Sequence, residues 1–416
     1  MSVEMDATRD LLVVGAGPVG LITALLGARA GLDVEIIDQE WRIATRSYAC
    51  ALHPHTLGLL DELALLDRAL EMGVRVETLG FYEGAERKAE VNLGALPGKF
   101  PFALVLYQDD LEGLIEDALR ERHGRRVGWG RRLDGLIWHD QSMTGILELL
   151  QHRSTGEHEQ RWTEVVERRQ MVHARYLVGA DGPHSRLLHL LGTGSDVAGE
   201  PTTYGVFEFE PRSEAKAPRE LRVAVEGTST HVLWPLPGGT CRWTLQSPAG
   251  ATEVDDAIAG SVSPTKLPQR IERVAPWFQG GVRTMDWASR VEFPRRVVHQ
   301  FGRGRCWVLG DAAHQTAPGG AQSMNLGLQE AAQFVEKVRA VLKDGASPAE
   351  LREVSEHWHA SWERVLGFKP SLVSTPTTAP WVAAHAQQLA SCLPASGEHF
   401  VNLLGQLDLL WAEPGS

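Results

Sequence analysis

The sequence predicts an α/β protein with a nucleotide-binding domain, a second β-rich domain and a C-terminal helical segment. Three observations support this prediction. A strand, a glycine-rich turn and a helix open the chain between Leu11 and Asp38. Two further apolar strands end in glycine-aspartate turns, at residues 180–182 and 310–314. Segments between these turns show the period of two that is typical of half-buried strands.

The opening stretch, LLVVGAGPVGLITALLGARAGLDVEIID, predicts a Rossmann-like βαβ unit that binds a dinucleotide. Gly15 makes the tight turn, Gly17 admits the phosphates, and Gly20 lets the helix pack on the strand. Pro18 and Val19 stand at the start of the helix, where backbone N–H groups and the helix dipole favour a pyrophosphate.

Asp38 lies 18 residues after Gly20, at the end of the second strand. A carboxylate in that place accepts hydrogen bonds from the hydroxyls of an adenosine ribose and disfavours a 2′-phosphate. Residues 11–32 are also apolar enough to suggest a membrane span. Arg29, the clustered glycines and Asp33 argue instead for a buried parallel strand and its helix.

The composition is that of an ordinary globular protein of 416 residues, long enough for two domains. A net charge of −12, from 41 basic and 53 acidic residues, argues against nucleic acid or an anionic membrane as a partner. The four cysteines are far apart and lack zinc-ligand spacing, so no metal site is expected; they are Cys50, Cys241, Cys306 and Cys392. The short acidic N-terminus is not a signal peptide, and we expect a cytoplasmic protein.

Periodicity predicts the remaining elements. We expect helices over 56–66, 108–120 and about 264–275, strands within 76–107 and 202–291, and an exposed hairpin or loop over 152–170. The last strand-turn-helix unit, 305–338, should begin its helix near Asn325. The tail, 346–416, should be helical, and a helix from His399 would dock on the body, form a dimer contact or touch a membrane surface.

Three motifs in order, GAGPVG, ADG at Ala180–Gly182 and GDAAH at Gly310–His314, give the chain a resemblance to a known family. It resembles the para-hydroxybenzoate hydroxylase family of single-component FAD-dependent monooxygenases. The resemblance implies a discontinuous FAD-binding domain of the glutathione-reductase type, formed by residues 1–76, 108–190 and 296–345. It also implies an interleaved β-sheet substrate domain, 77–107 and 191–295, and the helical tail 346–416.

The same resemblance implies the residues that contact the cofactor. Arg46 falls where the family places an arginine near the diphosphate, and Gln108 where a glutamine contacts the FAD ribose. Asp181 and Gly182 would position the loop at the diphosphate, and Gly310 and Asp311 would meet the ribityl chain. The flavin-facing loop follows, with Pro318, Gly319 and Gly320 beside the reactive ring and Ser323, Met324 and Asn325 at its pyrimidine end.

Ser323 replaces a glycine that is usual in this loop. A serine keeps the backbone N–H but restricts φ, so the approach of the flavin is expected to depend on this residue. His314 is interpreted as structural, because its position in the motif does not require it to exchange a proton. The resemblance identifies no catalytic base.

The implied activity is a monooxygenation. NADH or NADPH would reduce FAD, O2 would give a flavin C4a-hydroperoxide, and one oxygen atom would pass to an aromatic or polyketide-like small molecule. Aromatic residues of the second sheet are candidates for the chamber wall: Phe207, Phe209, Trp234 and Trp243. A flavin-dependent reductase or dehydrogenase and a non-catalytic flavin-binding protein remain alternatives. Either a monomer or a homodimer is compatible with the sequence.

Overall fold

The computed structural model describes residues 8–43, 51–155, 161–212, 220–247, 266–369 and 372–411. The first part of the chain contains, in order, β1 (Arg9–Val14), α1 (Pro18–Arg29), β2 (Val34–Ile37), β3 (Ala51–Leu52), α2 (Pro54–Glu62), α3 (Leu66–Met72), β4 (Val74–Val76), β5 (Thr78–Glu83), β6 (Glu86–Asn92), β7 (Ala103–Val105), α4 (Gln108–His123), β8 (Val127–Gly128), β9 (Arg131–Trp138), β10 (Met143–Thr155), β11 (Arg161–Gly179) and α5 (Arg186–Leu191).

The second part contains β12 (Ser195–Val197), β13 (Thr202–Glu210), β14 (Glu220–Glu226), β15 (Ser229–Pro235), β16 (Cys241–Gln246), α6 (Lys266–Val274), β17 (Thr284–Phe293), β18 (Arg296–Val298), β19 (Gly302–Arg303), β20 (Cys306–Val308), β21 (His314–Gln315), α7 (Gln322–Arg339), α8 (Ala349–Val365), β22 (Leu372–Ser374), α9 (Pro380–Ser391), α10 (Gly397–Gln406) and β23 (Leu409–Trp411). Short 3-10 turns cover Gly310–Ala312 and Pro318–Gly320.

The larger sheet is the nucleotide-binding sheet that the opening stretch predicts. Strands β8, β2, β1, β11 and β20 run parallel in that order. Strand β10 extends the sheet as the antiparallel partner of β11, and β9 pairs antiparallel with β10. The apolar run Leu11–Val14 is buried, with α1 in contact with β1 and with Leu12 next to Gly145 of β10, and this burial explains its continuously apolar sequence. Helix α1 packs against α4 and α7. The α/β fold class is confirmed.

The second sheet has seven strands in the order β17, β13, β16, β15, β14, β5, β6. Its alternating side chains give two faces. One face, with Phe209 and Trp243, packs on α6, and the other, with Val232 and Trp234, packs on the tail. Strands β5 and β6 thus share a sheet with residues 202–293, whereas β7 pairs with β3 and β4 and β12 pairs with β18. The domain boundaries proposed from the sequence stay a prediction.

Of the two alternatives expected for the polar segment 152–170, a hairpin or a loop, the structure has the hairpin. The segment belongs to the long antiparallel strands β10 and β11, and residues 156–160 between them lie outside the described residues. One local expectation, in the tail, changes. The helix expected from His399 ends at Gln406, and the chain turns at Asp408, whose φ is +54°. Residues 409–411 then pair with β22 as a strand. The tail is therefore helical with one small two-stranded ladder.

Across the residues that the structure describes, no helix is both long and apolar enough to cross a bilayer. The apolar segment 11–32, for which a membrane span was the alternative, is divided between β1 and α1. Its burial comes from the protein core.

Candidate active site

The turn that joins β1 to α1 contains three glycines with different surroundings. Gly15 has a φ of +103°, and a Cβ there would lie 2.2 Å from the Ala180 carbonyl oxygen. A Cβ on Gly20 would lie 1.9 Å from the Gly15 oxygen, whereas at Gly17 the nearest atom is 4.0 Å away. Protein packing therefore requires Gly15 and Gly20, and Gly17 leaves the backbone open to a ligand at the N-terminus of α1.

Asp38 and Gln108 flank this turn. The Asp38 Oδ2 accepts a hydrogen bond from the Ala16 N–H at 2.6 Å, and its Oδ1 accepts one from the Glu40 N–H at 2.8 Å. Gln108 begins α4 and donates from Nε2 to the buried Glu112 Oε1 at 2.7 Å. The Asp38 carboxylate is thus held at the edge of the turn, and its remaining lone pairs can accept ribose hydroxyls.

Asp181 follows β11 and caps α5. Its Oδ2 accepts the N–H groups of Arg186 at 2.8 Å and Leu187 at 3.2 Å, and its Oδ1 accepts the Ser185 hydroxyl. Burial raises the pKa of Asp181, and these hydrogen bonds oppose that rise. The carboxylate therefore holds the start of α5 and the adjacent Gly182, whose φ is +76°, close to the first glycine turn.

The turn after β20 begins at Gly310, which has a φ of +60°. A Cβ there would lie 2.9 Å from Val19 Cγ2, so the turn packs directly on α1. The next residue, Asp311, accepts the Ser323 hydroxyl on Oδ1 at 2.6 Å, and its backbone oxygen accepts from Arg296 Nη2 at 2.8 Å. Burial lowers the pKa of Arg296, and the nearby Asp311 charge opposes that shift.

The loop from Pro318 enters α7 earlier than the sequence suggests. The helix begins at Gln322, three residues before the expected start at Asn325. Ala321 is the residue with the left-handed backbone, at φ +52°, while Ser323 has ordinary helical geometry. The serine therefore imposes no backbone strain, and the first-turn N–H groups of an 18-residue helix point toward the adjacent cavity.

Asn325 is fully buried and uses both ends of its amide within the protein. Its Oδ1 accepts the His53 N–H at 2.8 Å and the Thr56 hydroxyl at 2.7 Å. Its Nδ2 donates to the Ala51 and Ala321 oxygens, each at 2.8 Å. Asn325 therefore ties the start of α2 to the loop that precedes α7.

His53 supports the same loop from behind. Its Nε2 lies 2.8 Å from the Gly320 oxygen, and its side chain is fully buried. Burial lowers its pKa to about 3, so the imidazole is neutral at ordinary pH and Nε2–H donates to the carbonyl. Its Nδ1 has no hydrogen-bond partner among the residues that the structure describes.

The C-terminal tail closes the other side of the loop. Gln322 Nε2 donates to the Leu393 oxygen at 2.8 Å and to the Ala395 oxygen at 2.9 Å. A Cβ on Gly320 would lie 2.8 Å from the carbonyl oxygens of Leu393 and Ser391. Residues 391–395 are therefore part of the wall that holds the loop, and no side chain larger than hydrogen fits at Gly320.

Two adjoining cavities run along these turns and share five lining residues: Gly17, Gln108, Ala180, Gly182 and Pro183. The first, of about 370 Å³, is lined by Gly15, Asp38, Arg42, Glu112, Arg131, Asp181 and their neighbours. The second, of about 260 Å³, is lined by Pro18, Val19, Phe293, Leu309, Asp311, Pro318, Ser323, Met324 and their neighbours. Together they form one groove from the end of β2 to the N-terminus of α7.

Comparison with known proteins identifies the family. Residues 8–369 match the family model described as "FAD binding domain". Pentachlorophenol 4-monooxygenase of Sphingobium chlorophenolicum is 24% identical over 398 residues, which are 88% of this chain and 67% of that protein. The chain belongs to the para-hydroxybenzoate hydroxylase-like FAD-dependent monooxygenases. The 6-methylpretetramide 4-monooxygenase of Streptomyces rimosus is 29% identical over 355 residues, 83% of this chain and 58% of that protein.

Solved structures of this monooxygenase family share the fold. The crystal structure of p-nitrophenol 4-monooxygenase from Pseudomonas putida DLL-E4 superposes with a TM-score of 0.74 at 22% sequence identity. The match covers 97% of this chain and 94% of that one. The resemblance drawn from the three motifs is therefore confirmed, and the chain is an FAD-dependent monooxygenase whose reaction also uses O2, a reduced nicotinamide and a small-molecule substrate.

The groove fits FAD on three structural observations. Gly17 leaves open backbone at a helix N-terminus, which suits the diphosphate. Carboxylates stand at both ends, Asp38 at one and Asp311 at the other, where a ribose and a ribityl chain present hydroxyls. The N-terminus of α7 lies at the far end, where negative charge on a reduced flavin would be stabilised.

Most residues named from the sequence meet at this groove, and five do not line it. Gly20, Gly310 and Asn325 act through packing or hydrogen bonds behind the surface, as do Gly319 and Gly320. Arg46 lies outside the described residues. Direct contact of each residue with FAD stays a prediction.

The sequence also misses residues that the structure brings to the groove: Glu112, Phe293, Arg296, Gln315 and Gln322. Their positions depend on tertiary packing. Four of them lie outside the motifs, and Gln322 lies within the flavin-facing loop but received no role from the sequence. Glu112 lies one helical turn after Gln108 on α4, and this i, i+4 spacing is the one local signal that links it to the site.

The four aromatic candidates of the second sheet are core residues. Phe207, Phe209 and Trp243 pack with α6 on the face away from the tail, and Trp234 packs in the core shared with the tail. None of them lines either groove cavity, whereas Phe293 at the end of β17 does.

A third and larger cavity, of about 600 Å³, lies between α7, α8 and the tail helices. It shares Thr316 and Gln322 with the smaller groove cavity but contains none of the glycine or aspartate motif residues. Size alone therefore does not mark the active site. Within the described residues, no cluster of three metal-ligating side chains occurs.

Proposed function

We propose that this enzyme inserts one oxygen atom of O2 into an aromatic or polyketide-like small molecule, by hydroxylation or epoxidation, with NADH or NADPH as the electron donor. The names of pentachlorophenol 4-monooxygenase and p-nitrophenol 4-monooxygenase indicate phenolic substrates for those relatives. The name of a third relative indicates the larger substrate 6-methylpretetramide. These names support a planar organic substrate here.

The observation that carries this proposal is the composition of the 260 Å³ cavity. Phe293, Leu309 and Met324 give it an apolar wall directly beside Asp311. Phe293 meets the buried Tyr204 edge-on, with ring centroids 5.8 Å apart. A planar apolar molecule held against Phe293 would lie next to the N-terminal turn of α7.

We further propose the residue contacts to FAD. Gly15, Gly17, Pro18, Val19 and Gly20 would shape the diphosphate site at α1, with Arg46 as its cation. Asp38 and Gln108 would bind the ribose, Asp181 and Gly182 the diphosphate loop, and Asp311 the ribityl hydroxyls. The ring would lie beside Pro318, with Ser323, Met324 and Asn325 forming or holding its pyrimidine end.

Bound FAD would take electrons from the nicotinamide and activate O2. The protein contributes charge stabilisation, a fixed loop and an apolar wall. Orphan N–H groups at the start of α7 favour negative charge next to the loop. His53 and Gln322 hold that loop from two sides, so its N–H groups keep a fixed direction. The apolar side chains of Phe293, Leu309 and Met324 would limit water at the place where the substrate would react.

The test measures coupling between substrate and cofactor. Phenols, naphthols and quinolones are added to FAD-loaded enzyme with NADPH or NADH, and the rate of nicotinamide oxidation and the incorporation of oxygen from ¹⁸O2 are recorded. We expect at least one compound to accelerate oxidation and to acquire ¹⁸O. Flavin reduction that yields product without ¹⁸O would indicate a reductase, and bound flavin without turnover would indicate a non-catalytic protein.

A comparison of two alanine variants tests whether the substrate binds against Phe293. Phe293→Ala removes the apolar wall and should raise KM about tenfold, because a buried aromatic contact is worth about 1 to 3 kcal/mol. Trp138→Ala removes an exposed aromatic ring outside both groove cavities and should leave KM unchanged. An unchanged KM in Phe293→Ala would place the substrate elsewhere.

We also propose a cytoplasmic enzyme that is a monomer or a homodimer. Cys241, Cys306 and Cys392 are buried free thiols, which supports a reducing compartment. Light scattering of the purified chain during gel filtration distinguishes the two assembly states.

A further inference from the structure

The departure from the usual loop sequence at Ser323 adds a contact that glycine cannot make. The Ser323 hydroxyl donates to Asp311 Oδ1 at 2.6 Å, so it links the start of α7 to the turn after β20. Both residues line the 260 Å³ cavity. One oxygen of the Asp311 carboxylate is therefore fixed by the protein, and the other can face a ligand.

A buried cluster stands behind this contact. The Ser323 Oγ lies 3.4 Å from His314 Nδ1, and His314 Nε2 lies 2.8 Å from Glu330 Oε2. Trp362 donates from Nε1 to Glu330 Oε1 at 2.7 Å. The indole also stacks on the His314 ring, with centroids 3.8 Å apart and planes at 20°. His314 is fully buried and Glu330 is 3% exposed.

This cluster leaves Ser323 little freedom. Glu330 has a donor on each carboxylate oxygen, and the His314 ring is held by its stacking partner as well as by Glu330. The ring edge therefore stands at a fixed place behind Ser323. A hydroxyl carries one proton, and the shorter contact directs it to Asp311.

We infer that Ser323 is a positioning residue for FAD: its hydroxyl, seated against the buried His314–Glu330 pair, holds the Asp311 carboxylate toward the groove. The inference rests on the proposed contact between Asp311 and FAD. By this inference His314 and Glu330 support cofactor binding indirectly, and the serine that replaces the usual glycine contributes a hydrogen bond to the FAD site.

The experiment compares Ser323→Ala, Ser323→Gly and Ser323→Thr in the full-length protein after removal and readdition of FAD. The readouts are the FAD dissociation constant, the visible flavin spectrum, the flavin midpoint potential and Tm. We expect Ser323→Ala and Ser323→Gly to bind FAD about tenfold more weakly, because the Asp311 carboxylate is no longer held toward the groove, while the Tm of FAD-free Ser323→Ala falls by only a few degrees. Ser323→Thr keeps the hydroxyl and should restore the affinity, the spectrum and the potential.

Ser355→Ala is the matched control. It removes a buried hydroxyl of α8 that accepts the Phe301 N–H at 3.4 Å and has no link to Asp311, so FAD affinity should not change. Native affinity and spectrum in Ser323→Ala, or a Ser323→Thr variant that behaves like Ser323→Ala, would overturn the inference. Because no aromatic substrate is present, a failure to oxygenate substrates cannot be confused with this result.

Discussion

The two ends of the FAD groove are built in different ways. At the nucleotide end, the glycine turn and Asp38 come from one stretch of 28 residues, 11–38, and steric packing of glycines fixes the turn. At the ring end, the loop before α7 is held by His53 and Asn325, which are 272 residues apart, and by the tail carbonyls of residues 393 and 395. A local motif makes one end, and long-range hydrogen bonds make the other. The following predictions test that difference.

The largest effect is expected at the nucleotide end. Gly20→Ala places a methyl group 1.9 Å from a backbone oxygen, so the turn must move, and we expect a loss of about 3 kcal/mol or more in the free energy of unfolding. Gly17→Ala meets no atom closer than 4.0 Å, so the fold should persist while FAD affinity falls at least about tenfold. Urea unfolding and flavin titration measure the two effects.

A helical glycine provides the control for this pair. Gly113 lies within α4, and a Cβ there would have no neighbour within 4 Å. Gly113→Ala should therefore stabilise the protein by up to about 1 kcal/mol and leave FAD binding intact. Equal losses in Gly17→Ala and Gly20→Ala would mean that Gly17 serves packing and not the ligand.

At the ring end, Asn325→Ala should lower the free energy of unfolding by about 2 to 3 kcal/mol, because four buried hydrogen-bond partners lose their counterpart. FAD binding should weaken in the same variant, since the loop loses its tie to α2. Asn402→Ala removes an exposed amide that donates to the Glu398 oxygen one helical turn earlier, and it should cost less than about 0.5 kcal/mol. Similar unfolding curves for Asn325→Ala and Asn402→Ala would show that Asn325 does not hold the loop that precedes α7.

Gln322→Leu tests the contact with the tail. Two buried carbonyls lose their donor, and we expect a loss of about 2 kcal/mol in stability, together with a change in the flavin spectrum. Gln388→Leu removes a tail amide that donates to the Gly227 oxygen at an exposed position, and it should change neither property. If Gln322→Leu kept the native spectrum, the tail would not shape the ring end.

The effect that is smallest at neutral pH is the protonation of His53, because it changes stability only as the pH falls below about 6.5. Burial lowers the pKa of His53 to about 3 in the folded protein, while an unfolded histidine titrates near about 6.5. Between these values the unfolded chain binds the extra proton, so stability falls as pH drops from about 6.5 toward 3, by up to about 1.4 kcal/mol per pH unit. His53→Gln should flatten this part of the Tm profile.

His357→Gln, at an exposed position on α8, is the control for His53. Its Tm profile should run parallel to that of the parent protein between pH 4 and pH 7. A slope that His53→Gln leaves unaltered would mean that another group carries the acid sensitivity.

The sequence determined the fold class and the family because their signals are local. Strand, glycine turn, helix and acid follow one another in residues 11–38, and the two glycine-aspartate turns each stand at a strand end. Such patterns reflect sterics and backbone hydrogen bonding, which act over a few residues. The individual FAD contacts and the domain boundaries stay predictions.

Tertiary structure alone decided how the ring end is held. The roles of His53 and Gln322 arise because α2, α7 and the tail meet at one loop. The same is true of Asn325, which the sequence placed beside the flavin and the structure places behind the loop. Periodicity reports which face of an element is buried, but it does not report which distant carbonyl or ring is buried against it. Tertiary packing determines these contacts, because it brings together segments that are hundreds of residues apart in the chain.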